Sequence, residues 1–233
     1  MKKICILLGL LLVISCHKEE QFDLTVKADI KGLKKGNVYL KKINDTTLII
    51  VDSLIINGNS EFELHSNLES PEMFFLYLDK NSNEDRRIPF FADKGVVEIK
   101  TSLKNFELDA QVTGSEQQKI LEEYKKVAGR FNEQRLDLIK ENFEAQKEND
   151  TAKHSEVQKE NANLIKRKYL YTVNFAINHK DSEVAPYLAL TEIYDANVKW
   201  LDTINNSLTP KIKVSKYGKK LQAFIDNIKE KEN

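Results

Sequence analysis

The residues able to do chemistry are few and widely spaced. The 233-residue chain has two cysteines, Cys5 and Cys16, and four histidines, His17, His65, His154 and His179. No two histidines stand at i, i+3 or i, i+4, the spacing that sets two ligands on one helical turn, so no metal site is expected from them. Asp52-Ser53 places a carboxylate beside a hydroxyl, but neither a Gly-x-Ser-x-Gly elbow nor a histidine at an informative position accompanies it. A strand-end turn or bulge is the expected reading, because Asp and Ser readily satisfy local backbone groups. Glu61 and Glu63 alternate with Phe62 and Leu64 and read as the solvated face of a strand rather than as an acid and base pair. No catalytic, cofactor-binding or metal-ligating residue is assigned, and a non-enzymatic chain is expected.

One cysteine stands in a pattern with a mechanism. Met1-Lys2-Lys3, the apolar run from Ile4 to Ile14 and the terminal Ser15-Cys16 resemble a bacterial lipoprotein signal ending in its lipobox. On that reading residues 1–15 are removed, Cys16 becomes the lipid-carrying first residue, and residues 16–22 form a polar tether. The alternative, an ordinary secretory signal with a chance cysteine, also places the chain outside the cytoplasm. Several acyl chains, at about 0.8 kcal/mol per buried methylene, make such an anchor effectively permanent. The same processing leaves no thiol, since Cys5 departs with the signal and Cys16 is occupied, so neither a disulfide nor a thiolate nucleophile is expected. Lys18-Glu19-Glu20 resembles the export signal that sends some lipoproteins to the outer face of the outer membrane, although a generic charged tether has the same composition. The expected location is the cell envelope, lipid-anchored in the outer membrane, with the leaflet open.

Lys plus Arg and Asp plus Glu are both 36, and loss of Lys2 and Lys3 leaves 34 basic against 36 acidic residues. Acids and bases interleave, as in Glu122-Glu123-Tyr124-Lys125-Lys126, which is a solvated helix face and argues against nucleic acid as a partner. Residues 23–113 run with a period close to two, beginning with Leu24, Val26, Ala28 and Ile30. About eight short strands are expected. Asn57-Gly58 predicts a type I′ hairpin joining Leu48–Ile56 to Glu61–Leu64, Pro89 marks an edge strand, and Phe106–Val112 reads as the last strand. An antiparallel β-sandwich or open barrel follows.

Residues 114–233 change to the helical period, making the chain α+β. Ser115 with Gln118 is a capping pattern, and Ile120, Tyr124, Val127, Phe131 and Leu138 hold one face. A long helical hairpin over 115–180, turning at Asn149-Asp150, precedes shorter helices within 183–229: one capped by Ser182, one from Asp195 to Ser207, one started by Thr209-Pro210, and one opened by Ser215 with Tyr217, Leu221, Phe224 and Ile228 on one face. An arm of about thirty residues reaches roughly 45 Å and projects past a small sandwich. Phe143 is the one large apolar side chain well inside the charged stretch Glu141–Asn163 and is the candidate partner contact. Tyr169, Tyr171, Phe175, Tyr194 and Trp200 read as buried helix faces, with a ligand groove as the alternative. Asp45-Thr46-Thr47, Asp150-Thr151-Ala152 and Asp202-Thr203-Ile204 resemble a short O-glycosylation acceptor pattern, and Thr151 at the hairpin tip is the favoured site.

The order of these parts, with Val51-Asp52-Ser53 leading into Asn57-Gly58-Asn59-Ser60-Glu61-Phe62, then Thr113-Gly114-Ser115-Glu116, Ser182-Glu183-Val184-Ala185-Pro186-Tyr187-Leu188 and Leu208-Thr209-Pro210 through Tyr217-Gly218, resembles lipoproteins carrying domain of unknown function 4369. Many of these continue into a thioredoxin-like domain of the thiol-disulfide interchange class. This sequence has no Cys-x-x-Cys, so the resemblance implies the non-catalytic front part, and no redox role passes to any residue. The expected function is a membrane-anchored protein-interaction or adaptor module. The alternatives are a small-molecule or glycan-binding envelope lipoprotein, and an accessory to a thiol-disulfide interchange system whose redox domain is on another chain.

Overall fold

The computed structural model describes residues 22–79 and 86–232. Eight strands come first: β1 (Leu24–Lys31), β2 (Lys35–Asn44), β3 (Thr47–Asn57), β4 (Glu61–Ser66), β5 (Glu72–Asp79), β6 (Arg87–Ala92), β7 (Gly95–Ser102) and β8 (Gln111–Thr113). They form two four-stranded sheets, ordered β4-β1-β7-β8 and β3-β2-β5-β6. Alternate residues of both, among them Leu24, Val26 and Ile99 from one and Leu40, Phe74 and Phe90 from the other, share one buried cluster, which makes an open sandwich rather than a closed barrel. Pro89 sits in β6, an edge strand, where its missing N–H costs no ladder bond.

Three local expectations are corrected. Asn57-Gly58 does not close a hairpin: β3 pairs with β2 and β4 with β1, so Asn57–Ser60 is the step between sheets, and of these two residues only Gly58 takes a positive φ. The true tight hairpin joins β2 to β3, with Asn44 facing Thr47 and Asp45 at φ 53°. Second, β1 and β7 run parallel, the one such pairing within otherwise antiparallel sheets of the described residues. Third, Phe106–Val112 is mostly turn. Ser102 Oγ donates to Asp109 Oδ2 (2.6 Å) and Thr101 Oγ1 to the Phe106 carbonyl (2.7 Å), so the Phe106 ring plugs the core from a loop and only Gln111–Thr113 joins the sheet.

Six helices follow: α1 (Glu116–Lys147), α2 (Thr151–Asn178), α3 (Val184–Glu192), α4 (Val198–Ser207), α5 (Pro210–Lys213) and α6 (Lys216–Glu232). Ser115 caps α1 through the Gln118 amide (3.0 Å), as its type predicts. The Gln118 side chain is not used in the return half of a capping box. Its Oε1 accepts from the Phe91 amide of β6 (2.8 Å), tying helix to sheet. Ser182 Oγ accepts from the Val184 amide (3.1 Å) at the start of α3, while α4 begins at Val198, three residues later than expected, behind an Asn197 cap.

The helices dock on the outer side of β5 and β6. Met73 and Phe91 pair across these strands and are buried with Leu121, Tyr124, Val184 and Leu188. A polar frame surrounds this cluster: Tyr217 Oη accepts from the Met73 amide (3.1 Å), Ser182 Oγ donates to Gln117 Oε1 (2.6 Å), and Ser215 Oγ donates to Glu183 Oε2 (2.6 Å). Buried Glu72 pairs with Lys42 (2.8 Å) and with Lys216 of α6. Burial raises the Glu183 carboxyl above its ordinary 4.5, against the pull of Ser215 and Lys211. The folded protein therefore holds this proton more tightly than the unfolded chain, and the stability the group contributes is lost as pH rises through its folded value. Glu183→Gln removes that titration. Melting curves are expected to show the parent gaining on the variant as pH falls from neutral toward 4.5; parallel curves would contradict the raised carboxyl.

Candidate functional site

The hairpin of α1 and α2 is made by local chemistry at its tip and by packing at its base. Asn149 takes the left-handed conformation (φ 55°), and Asp150 caps α2 by accepting from the Lys153 amide (2.9 Å). At the base, Tyr124 of α1 is enclosed by Tyr171 and Phe175 of α2, and its hydroxyl meets Thr172 Oγ1 at 2.8 Å. Burial holds the Tyr124 phenol far above its usual range, so it stays a neutral hydrogen-bonding group.

Farther out, the hydrogen bonds and ion pairs that residues 136–163 make among the described residues stay within the hairpin: Gln158 Nε2 donates to Asn142 Oδ1 (3.3 Å) and Lys153 pairs with Glu141 (3.1 Å), while Ala145 and Val157 are buried. Twelve residues of α1 beyond Arg135 carry the tip roughly 18 Å past the last helix packed on it. On this arm Leu136, Ile139 and Phe143 are 66 %, 54 % and 69 % exposed. Their i, i+3, i+7 spacing makes one stripe, flanked by exposed Glu133, Asp137, Lys140, Glu144 and Lys147. Each such side chain gains roughly 1.5–3 kcal/mol when removed from water. The arrangement is that of a small apolar contact with a polar rim. Phe143 is exposed, and Leu136 and Ile139 share its stripe.

A second feature lies at the hairpin base. Phe131, Leu164 and Ile165 floor a cleft of about 250 Å³ walled by Asn132, Arg135, Lys168, Tyr169, Glu192, Tyr194 and Asp195. Tyr169 donates to Asp195 Oδ1 (2.6 Å), and burial, with that bond second, pushes its phenol up to about 12. Lys168 pairs with Glu192 (2.8 Å). Tyr171 and Phe175 are core, Trp200 packs edge-on against Tyr169 at 5.8 Å, and Tyr194 is exposed. Of the aromatics singled out in the sequence, only Tyr169 and Tyr194 line this groove.

Residues 24–121 match the family model of Domain of unknown function (DUF4369). The match spans all eight strands and the opening turns of α1. No curated protein matches the chain. The hairpin arm, its apolar stripe and the base cleft follow the DUF4369 segment.

Within the DUF4369 segment, Asp52 follows a β-bulge, and its oxygens accept from the amides of Ser53 (2.7 Å) and His65 (2.7 Å). His65 Nδ1 lies 3.8 Å from Asp52. This places a histidine beside the Asp-Ser pair, which sequence spacing did not indicate. Asp52 pairs with inward-facing Leu40 and Ser53 with outward-facing Tyr39, so the carboxylate and hydroxyl point to opposite faces and no nucleophilic triad forms. Glu61 and Glu63 are on the exposed face of β4, as alternation predicts. Thr151 is exposed at the first position of α2, whereas Thr203 is inside α4 with its hydroxyl bonded to the Lys199 carbonyl (2.7 Å). His154 has a buried Nδ1 without a partner, and His179 stacks on Phe175 at 4.1 Å. Among the described residues no group of three or more His, Cys, Asp or Glu could hold a metal ion, and no helix is long and apolar enough to cross a membrane. Cys16, His17 and the tether as far as Gln21 lie outside the described residues.

Proposed function

We propose that this chain is a non-enzymatic, membrane-anchored envelope lipoprotein that works as a protein-interaction module, holding a partner on the distal hairpin. The observation that carries the reading is the exposed stripe of Leu136, Ile139 and Phe143 on an arm whose hydrogen bonds and ion pairs among the described residues stay within the hairpin. An apolar side chain seated at the centre of a protein contact commonly contributes 2 kcal/mol or more, so one central change should be felt strongly. Ser15-Cys16 supplies the anchor in this reading, and the docked helices give the arm a rigid base from which to reach.

The test is crosslinking of the intact lipidated protein in its own envelope, with identification of what is attached. Phe143→Asp is expected to reduce recovery of one protein partner by at least about tenfold, in line with a hot-spot loss. Because Phe143 is exposed, the melting temperature should stay nearly unchanged, as surface substitutions cost within about 0.5 kcal/mol. An unchanged yield in the variant, or no attached protein in either sample, would overturn the proposal.

A further inference from the structure

The cleft at the hairpin base takes no part in the proposed partner contact, and it keeps polar groups of both signs unpaired. Most of the charge around it is matched. Lys168 meets Glu192 (2.8 Å), and the Tyr169 hydroxyl donates to Asp195 Oδ1 (2.6 Å). Among the described residues three groups in its walls are left without a partner: the Arg135 guanidinium, the Asn132 side-chain amide and Asp195 Oδ2. Asn132 and Arg135 stand at i and i+3 on α1, one turn apart, so their donors serve the same wall. Asp195 comes from another element, the loop between α3 and α4, and it forms no ion pair with Arg135. That loop is fixed at its start, because Ile193 is fully buried and its carbonyl accepts from the Ala196 amide (3.0 Å).

These groups limit what the cleft can hold. A guanidinium gains most from a carboxylate, whose two oxygens match its fork of donors. A bare anion would also meet the charge of Asp195, since the formal charges in the walls cancel, Arg135 and Lys168 against Glu192 and Asp195. A ligand that is neutral overall and carries both signs avoids that repulsion and uses the free carboxylate oxygen as well. Between the two charges lies an apolar floor of Phe131, Leu164 and Ile165. The space, about 250 Å³, is below the roughly 300–1,000 Å³ of sites for drug-sized molecules, so the occupant is small.

We propose that this cleft binds a free amino acid with an apolar side chain. Arg135 takes the carboxylate, with Asn132 donating beside it, and Asp195 Oδ2 accepts from the ammonium group. The side chain lies on Phe131, Leu164 and Ile165, and exposed Tyr194 forms the rim. Leu136 of the hairpin stripe is about 100° around α1 from Arg135, so the cleft and the stripe are separate surfaces.

Calorimetric titration of the full chain in detergent with L-phenylalanine and with L-leucine tests the assignment. One-to-one binding is expected. Phenethylamine, which lacks the carboxylate, and 3-phenylpropionate, which lacks the ammonium, should each bind at least about tenfold more weakly than phenylalanine. Arg135→Gln should weaken phenylalanine by a similar factor and leave phenethylamine unchanged, whereas Asp195→Asn should weaken phenylalanine and bind 3-phenylpropionate no less well than the parent. A merely structural role for either residue would weaken all the ligands together. Arg135 is exposed, so its variant should melt with the parent. Phe143→Asp should bind phenylalanine as the parent does, which separates this result from that of the partner test. Absence of binding of both amino acids up to about 10 mM, equal affinity for phenylalanine and its two analogues, or undiminished binding in Arg135→Gln would overturn the proposal.

Discussion

Phe91→Ala is expected to cost about 3–5 kcal/mol, the range for truncating a fully buried aromatic side chain, and to loosen the helices from the sandwich. Phe91 is fully buried although it points away from the sandwich core. Its ring meets Tyr187 edge-on at 5.5 Å and Tyr217 at 5.7 Å, so one side chain of β6 touches both α3 and α6. Its neighbour Phe90 points the other way, stacking on Phe74 at 6.0 Å between the sheets. Truncating either ring should lower the unfolding midpoint by a similar amount, but the amides that lose protection first should differ. Hydrogen exchange should rise earliest in α3 and α6 for Phe91→Ala, and in the strands for Phe90→Ala. A loss under about 1 kcal/mol for Phe91→Ala would mean that the junction is not a packed core.

That contrast also shows what local pattern can and cannot reveal. Alternation located the strands well, because a half-buried strand must repeat every two residues: Leu24, Val26, Ala28 and Ile30 are all core. It could not choose their neighbours. Asn57-Gly58 has the composition of a tight hairpin, yet β3 had a better partner in β2, closed by Asp45-Thr46, and the Gly58 conformation was spent on crossing between sheets. The parallel pairing of β1 with β7 joins residues about seventy positions apart, and no short-range signal encodes it. Strict alternation also fails in β6, where Phe90, Phe91 and Ala92 are all buried because helices cover the second face.

The hairpin was legible from capping and composition together. Ser115 and Asp150 both cap as their types predict, and the polar stretch around Asn149 is the tip. The stripe was only partly legible. Leu138 belongs to the half-buried side of α1, and reading one apolar face through it concealed the second row of Leu136, Ile139 and Phe143 about a third of a turn away. Counting apolar residues at i, i+3 and i+7 from each start, not only from the strongest, would have found it. The base cleft had no such signal, since Arg135, Tyr169 and Asp195 come from two helices and a loop that meet only in the folded chain.

Gly218→Ala should destabilise the protein by about 3 kcal/mol, the upper part of the range for forcing an atom into a packed site, although helix propensity alone predicts the opposite sign. Alanine is favoured over glycine by about 1 kcal/mol in a helix interior, and Gly218 lies two residues inside α6. A Cβ there would run into the Ile212 carbonyl, 2.8 Å from its carbon and 2.9 Å from Lys213 Cα, all of it backbone of α5 and its turn. Relief requires separating α5 from α6, which disturbs Ser215 between them and the bond it donates to Glu183. Gly129 of α1 supplies the control, because a Cβ there meets nothing within 4 Å. Gly129→Ala should stabilise by about 0.5–1 kcal/mol through the ordinary helix preference. Denaturant melts of the two variants should therefore move in opposite directions from the parent. A shift of Gly218→Ala toward higher stability would mean that α6 does not sit against the Ile212 carbonyl, and with it the docking that brings Tyr217 onto Met73 and Phe91 would have to be redrawn.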